Sequence, residues 1–139
     1  MSYVWPAGKR CAFVFSVDVD IESPMLWRTR GQDVRGFGEL EQRRYGERVG
    51  LQRLLDLQDA FNVKASYYVP GYEAITYPHI LPALVDKGHE VGLHGYHHEL
   101  VNVLSDDENA RILDKSIAVF QSQLGTTPQG YRSPAWELT

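Results

Sequence analysis

Two acidic and two imidazole side chains have the spacing of a metal site. Asp18 and Asp20 follow an apolar run, and strand alternation would place both carboxylates on one side. His94 and His98 are four residues apart, the spacing with which two imidazoles on one helical turn grip a metal ion. Two histidines and one aspartate would leave coordination positions open for water and substrate. Solvated or helix-capping aspartates and a surface histidine cluster are the simpler alternatives.

A third polar segment, residues 132–136, reads Arg-Ser-Pro-Ala-Trp and follows a candidate strand. Taken alone, the segment is equally typical of a surface turn with Trp136 in the core. Its position after a strand makes Arg132 a candidate site residue, because strand ends in parallel sheets are where α/β proteins bind ligands.

The elements that must position these residues alternate between strand and helix. Apolar runs rich in β-forming residues predict strands over 11–17, 63–69, 89–93 and 129–132. Helical periodicity, supported by a capping box at Ser105 and Glu108 and by a stop at Gly125, predicts helices over 47–60, 77–87 and 105–124. Strand 11–17 is expected to be buried on both faces. Residues 21–46, rich in glycine and arginine, predict a long ordered loop. This order predicts an α/β fold with a parallel sheet.

Composition excludes several classes of partner. The 139 residues fit one domain, and a net charge of −4 disfavours binding to nucleic acid or to an anionic membrane. A single cysteine, Cys11, cannot form an internal disulfide. The longest apolar run, 11–15, is far too short to span a bilayer, and the first residues do not read as a signal peptide. We therefore expect a soluble, cytoplasmic protein.

Together these motifs resemble the polysaccharide deacetylases, the NodB-homology domains of carbohydrate esterase family 4. The aspartate pair matches the first motif of that family, the two histidines match the second, and Arg132 and Pro134 match the third. The Asp-x-Asp spacing is similar to the branch that contains peptidoglycan-deacetylase-like, allantoinase-like and cyclic-imide-hydrolase-like proteins. The resemblance covers residues 10–138 and implies the N-terminal half of a distorted, TIM-like (β/α) barrel.

The resemblance also implies a role for each motif residue. Asp20, His94 and His98 would hold a divalent metal ion, usually Zn²⁺, and Asp18 would be the general base that acts on the metal-bound water. Arg132 would line and orient the groove, the backbone N–H of Ala135 would donate to the oxyanion, and Trp136 would form a wall of the pocket.

The activity implied by the resemblance is metal-dependent hydrolysis of a non-peptide C–N bond. We expect N-deacetylation of an amino-sugar polymer or oligosaccharide, in carbohydrate metabolism. A cyclic amide or imide hydrolase is one alternative, and a non-catalytic metal-binding half-domain is another.

The sequence departs from the family pattern after its third motif. Family members continue into two further motifs that include a catalytic histidine, whereas here no histidine follows His98. We therefore expect residues 1–139 to form a partial catalytic domain. It would self-associate through an open sheet edge or associate with a complementary C-terminal fragment.

Overall fold

The computed structural model describes residues 5–32 and 38–139. Its four strands form one parallel sheet in the order β1-β2-β3-β4. The strands are β1 (Ser16–Asp18), β2 (Ser66–Val69), β3 (Glu90–Leu93) and β4 (Gly130–Tyr131). The helices are α1 (Ser23–Arg28), α2 (Gly38–Tyr45), α3 (Leu51–Ala60), α4 (Gly71–Thr76), α5 (Ile80–Asp86) and α6 (Asp106–Leu124). The predicted α/β fold with a parallel sheet is confirmed.

The core lies between the sheet and its helices. Tyr67 and Val69 of β2 are fully buried and pack with Leu55 of α3, Leu84 of α5 and Phe120 of α6. The apolar faces of the helices therefore cover the sheet, as the apolar periodicity of their sequences predicts.

The register of the strands determines where their carboxyl ends lie. Asp18 at the end of β1 is paired with Tyr68 of β2, and Leu93 at the end of β3 is paired with Val69 and with Tyr131 of β4. Asp18 thus ends β1, and Asp20, the histidines and Arg132 follow strands at the same edge of the sheet.

The predicted strand over 11–17 is largely wrong. Only Ser16–Asp18 form a strand, and Phe13 and Val14 are 83% and 76% exposed. The physical reason is that β2 begins at Ser66, which pairs with Ser16, and that no described strand lies on the other side of β1. An apolar run can bury both faces only where neighbouring strands and helices cover it.

The loop predicted over 21–46 is also wrong in its described part, which contains α1 and α2; residues 33–37 lie outside the described residues. Ion pairs support both helices, and they include Arg28–Glu39 at 2.5 Å and Arg44–Glu41 at 2.6 Å. Three arginines of the segment, Arg28, Arg43 and Arg44, therefore pair with glutamates of α2. The pairs within α2, three or four residues apart, stabilise that helix.

The remaining helices follow the sequence signals more closely. The capping box is present, since the Ser105 hydroxyl accepts from the Glu108 N–H and the Glu108 side chain accepts from the Ser105 N–H. Gly125 ends α6 in the left-handed conformation, at φ 69°. The helix expected over 77–87 begins at Ile80, and α4 was not predicted. Among the described helices, none has the length and hydropathy needed to cross a membrane.

Candidate metal centre

Asp20, His94 and His98 meet at the carboxyl edge of the sheet. The Nε2 atom of His94 lies 3.6 Å from Asp20 Oδ1, and the Nε2 atom of His98 lies 3.5 Å from Asp20 Oδ2. One ligand atom from each of the three residues lies within 4.8 Å of the other two. The two distances from Asp20 to the imidazoles are too long for good hydrogen bonds. They are close to the distance between two ligand atoms in a tetrahedral zinc site, about 3.4 Å for ligands at ~2.1 Å from the ion.

The orientation of His94 suits coordination through Nε2. Its Nδ1 donates a hydrogen bond to the backbone carbonyl of Arg132 at 2.8 Å, and its side chain is 1% exposed. A proton held on Nδ1 leaves the lone pair of Nε2 directed at Asp20. Metal-ligating histidines are oriented by a partner of this kind.

Burial of the Asp20 carboxylate gives a second indication of a cation. Asp20 Oδ1 is buried and makes no hydrogen bond. Burial raises the pKa of Asp20, although His94 and His98 act in the opposite direction. Burial likewise lowers the pKa of His98. A divalent cation would compensate the buried carboxylate and be bound by the neutral imidazole, so the donor set fits a metal ion.

The loop that carries the two histidines has an unusual backbone. Gly95 has φ 69° and His98 has φ 62°, so both lie in the left-handed region, which is uncommon for any residue other than glycine. The buried Glu99 carboxylate fixes the loop by accepting from the Tyr96 N–H at 2.7 Å, and the Gly95 carbonyl accepts from the Gly71 N–H at 3.1 Å. Such backbone strain is often found where a loop must direct side chains at a ligand.

Asp18 is held beside this centre by Arg132. The Nη1 atom of Arg132 lies 2.5 Å from Asp18 Oδ1, and its Nη2 donates to the hydroxyl of Ser16 at 2.8 Å. The same guanidinium stacks 4.1 Å from the ring centroid of Tyr68. Asp18 is therefore ordered by the sheet edge rather than solvated in a loop. Asp18 and Asp20 also line one cavity, of about 200 Å³.

The segment after Arg132 reaches the histidine loop through Pro134. This proline is buried, and its Cγ lies 3.3 Å from the position that a Cβ on Gly95 would occupy. Ala135 and Trp136 are exposed, with φ values of 52° and 56°. The alternative that placed Trp136 in the core is wrong, because its side chain is 73% exposed. The oxyanion and pocket-wall roles of these two residues stay predictions.

Sequence reasoning missed a buried polar cluster behind Asp20. Glu73 of α4 is fully buried and accepts from the Ser23 N–H at 2.7 Å, while its Oε2 has no hydrogen-bond partner. Burial raises the pKa of Glu73, and the hydrogen bond from Ser23 opposes the rise. Glu22 accepts from the hydroxyl of Tyr77 at 2.9 Å and also pairs with Arg44. These contacts fix the start of α1, three residues after Asp20. An acidic side chain on the short α4 gave no sequence signal of this role.

A parallel α/β sheet that gathers two carboxylates, two imidazoles and an arginine at its carboxyl edge has the arrangement with which (β/α) barrels form their sites. The comparisons make this assignment specific. The chain belongs to the polysaccharide deacetylase family, whose model matches residues 45–138. The resemblance inferred from the motifs is therefore confirmed.

Two curated relatives match most of the chain. It is 34% identical over 135 residues to the peptidoglycan deacetylase-like protein FGM2 of Gibberella zeae, covering 95% of this chain and 39% of that protein. It is 30% identical over 132 residues to the peptidoglycan deacetylase of Helicobacter pylori, covering 95% of this chain and 44% of that protein. The chain thus spans less than half the length of these relatives.

Solved structures confirm the half-barrel fold. A Mycobacterium smegmatis protein assigned to the polysaccharide deacetylases superposes with a TM-score of 0.91 at 39% identity, over 99% of this chain and 48% of that one. The allantoinase Puue superposes with a TM-score of 0.79 at 22% identity, over 91% and 47% of the two chains, a likeness of fold alone.

Proposed function

We propose that this chain carries the metal-binding half of a deacetylase active site acting on N-acetylated amino-sugar polymers. The observation that carries the proposal is the unpartnered, buried Oδ1 of Asp20 beside the Nε2 atoms of His94 and His98. Zinc is the ion that the family resemblance implies, and a carboxylate and imidazoles are among the ligands that it commonly takes. When bound, it would supply a water of lowered pKa and would polarise the amide carbonyl. The peptidoglycan deacetylases among the relatives support an amino-sugar substrate.

Asp18 is the general base in this proposal. Its carboxylate lies two residues before Asp20 on the same edge, and Arg132 fixes Oδ1 at 2.5 Å. A carboxylate held in this way can accept a proton from a water bound at the neighbouring site. Arg132 is then a positioning residue, because it orients Asp18 through its side chain and His94 through its carbonyl.

The ligand assignment is tested by metal analysis of purified variants. His94→Ala and His98→Ala should each lose bound zinc, since each removes one of three protein ligands. His79→Ala is the matched control, because His79 is an exposed histidine paired with Glu47 outside the site. Unchanged zinc content in both ligand variants would refute the assignment.

The base assignment is tested by Asp18→Asn. Assayed together with a C-terminal fragment that supplies the later family motifs, this variant should retain zinc and lose about 10²–10⁴-fold in turnover, the usual cost of removing a general base. Loss of zinc from Asp18→Asn, together with its retention in Asp20→Asn, would show that the two roles are exchanged. Assays compare deacetylation of a chitooligosaccharide with ring opening of a cyclic imide. Zinc binding without turnover of either substrate, even when the C-terminal fragment is present, would favour the non-catalytic alternative.

A further inference from the structure

A second cavity adjoins the candidate metal centre on the side of α1. Its volume is about 430 Å³, and His98 lines it together with Trp27, Arg28 and Arg30. Leu100 and Val103 form an apolar wall. His98 belongs to both the cavity and the proposed ligand set, so the cavity lies next to the place where a substrate would react.

We propose that Trp27, Arg28 and Arg30 form a subsite for a carboxylate-bearing substituent of the substrate. This inference rests on the proposed function, since it concerns the part of the substrate that lies next to the reacting acetamido group. It identifies the substrate class as N-acetylated amino sugars with an acidic side group, such as a lactyl or peptide carboxylate. Uncharged polymers of N-acetylglucosamine lack that group.

The geometry of Arg30 supports the recognition of an anion. Its Cζ lies 3.4 Å from the ring centroid of Trp27, and its Nη1 donates to the carbonyl of Trp27 at 2.6 Å. The guanidinium is thus stacked on an aromatic face and tied to the backbone, so that less conformational entropy is lost when it binds an anion. Planar guanidinium groups match the two oxygens of a carboxylate.

The charge of the cavity points in the same direction. Among the residues that the structure describes, its lining includes two arginines and no aspartate or glutamate. Arg28 already forms an ion pair with Glu39 at 2.5 Å. Arg30 is therefore the residue of this cavity on which recognition of an anion would mainly depend. The metal centre beyond His98 would add positive potential when loaded. An anionic group therefore suits this cavity better than a neutral or cationic one.

The proposal is tested by binding of two probes that differ in one charge. N-acetylmuramyl dipeptide and its fully amidated derivative are titrated calorimetrically into the zinc-loaded protein in the Asp18→Asn background, where the probes are not consumed. The acid should bind about tenfold more tightly than the amide, the size of effect expected for one charge-assisted contact at a partly exposed site. Added salt should reduce the preference, because it screens exposed charges.

The variant Arg30→Gln should abolish the preference for the acid. Arg111→Gln is the matched control, since Arg111 is an exposed arginine that also donates to a backbone carbonyl, at 3.0 Å, on the distant α6; it should leave the preference unchanged. If Arg30→Gln still bound the acid more tightly than the amide, the proposal would be overturned. The carboxylate of the probe would then be bound by the zinc instead. Equal binding of both probes to the unsubstituted cavity would also overturn it. Absence of turnover in the presence of the complementary C-terminal fragment would instead count against the proposed function, because these binding readouts do not depend on catalysis.

Discussion

Substitution of Gly95 by alanine tests whether the left-handed turn between the two histidines is required for metal binding. A Cβ at this position would lie 2.9 Å from Glu99 Oε2 and 3.3 Å from Pro134 Cγ. Glu99 cannot withdraw freely, because the same Oε2 accepts from the Tyr96 N–H at 2.7 Å. The new methyl group must therefore displace the loop or break this buried hydrogen bond.

The expected magnitude has two parts. The φ of 69° at Gly95 costs alanine about 1–2 kcal/mol of left-handed strain. Overpacking against Glu99 and Pro134 adds about 1–3 kcal/mol. Gly125 is the matched control, since it also has φ 69° but a Cβ there would meet nothing within 4 Å. Gly125→Ala should thus show the strain alone, and Gly95→Ala should lose about 1–3 kcal/mol more in the free energy of unfolding.

Urea denaturation of the metal-free variants measures the stability difference, and competition with a chromophoric chelator measures zinc affinity. Gly95→Ala should weaken zinc binding by about 10–100-fold, the range found when residues that orient metal ligands are changed. Gly125→Ala should bind zinc like the unsubstituted protein, because it lies at the far end of α6. Equal destabilisation of the two variants, or normal zinc affinity in Gly95→Ala, would refute this account of the loop.

Three further substitutions test the supports of the fold. Ser105→Ala should cost about 1 kcal/mol of unfolding free energy by removing the N-cap of α6, whereas Ser122→Ala near the end of that helix should change it by less than about 0.5 kcal/mol. Because burial raises the pKa of Glu73, the folded state binds its proton more tightly than the unfolded state. As pH rises above about 4.3, the free energy of unfolding of the unsubstituted protein should therefore fall relative to that of Glu73→Gln. If the free energies of the two proteins varied with pH in parallel, this expectation would be contradicted. Tyr67→Phe should cost about 1–2 kcal/mol in urea denaturation, because it leaves the buried Gln58 oxygen without its donor at 2.5 Å.

The sequence was informative where chemistry and periodicity act locally. The histidine spacing and the Asp-x-Asp pair predicted the cluster at the sheet edge, because a parallel sheet brings strand ends together whatever the details of packing. The capping box and Gly125 predicted α6 because both signals reside in adjacent residues. These features needed no knowledge of contacts between distant segments.

The missed features depend on contacts far apart in sequence. Phe13 and Val14 look like a buried strand, but their burial would need covering elements that are absent from the described sheet. Glu73 and Ser23 are 50 residues apart, and no local sequence pattern indicates that the buried Glu73 carboxylate accepts a hydrogen bond from the Ser23 N–H. The two short helices in 21–46 are joined by the ion pair Arg28–Glu39, which spans 11 residues and which propensity alone does not reveal.

Arg132 shows why a motif residue can have more than one role at this edge. Its N–H donates to the Leu93 carbonyl at 2.9 Å, which aligns β4 with the strand that leads to His94. Its carbonyl then orients the His94 ring, while its side chain holds Asp18. The backbone contacts survive any substitution that preserves the strand, whereas the side-chain contact needs a guanidinium. A change at Arg132 should therefore affect the proposed base before it affects the proposed metal ligands. The sequence motif predicted an arginine in the groove, but only the structure separates these two roles.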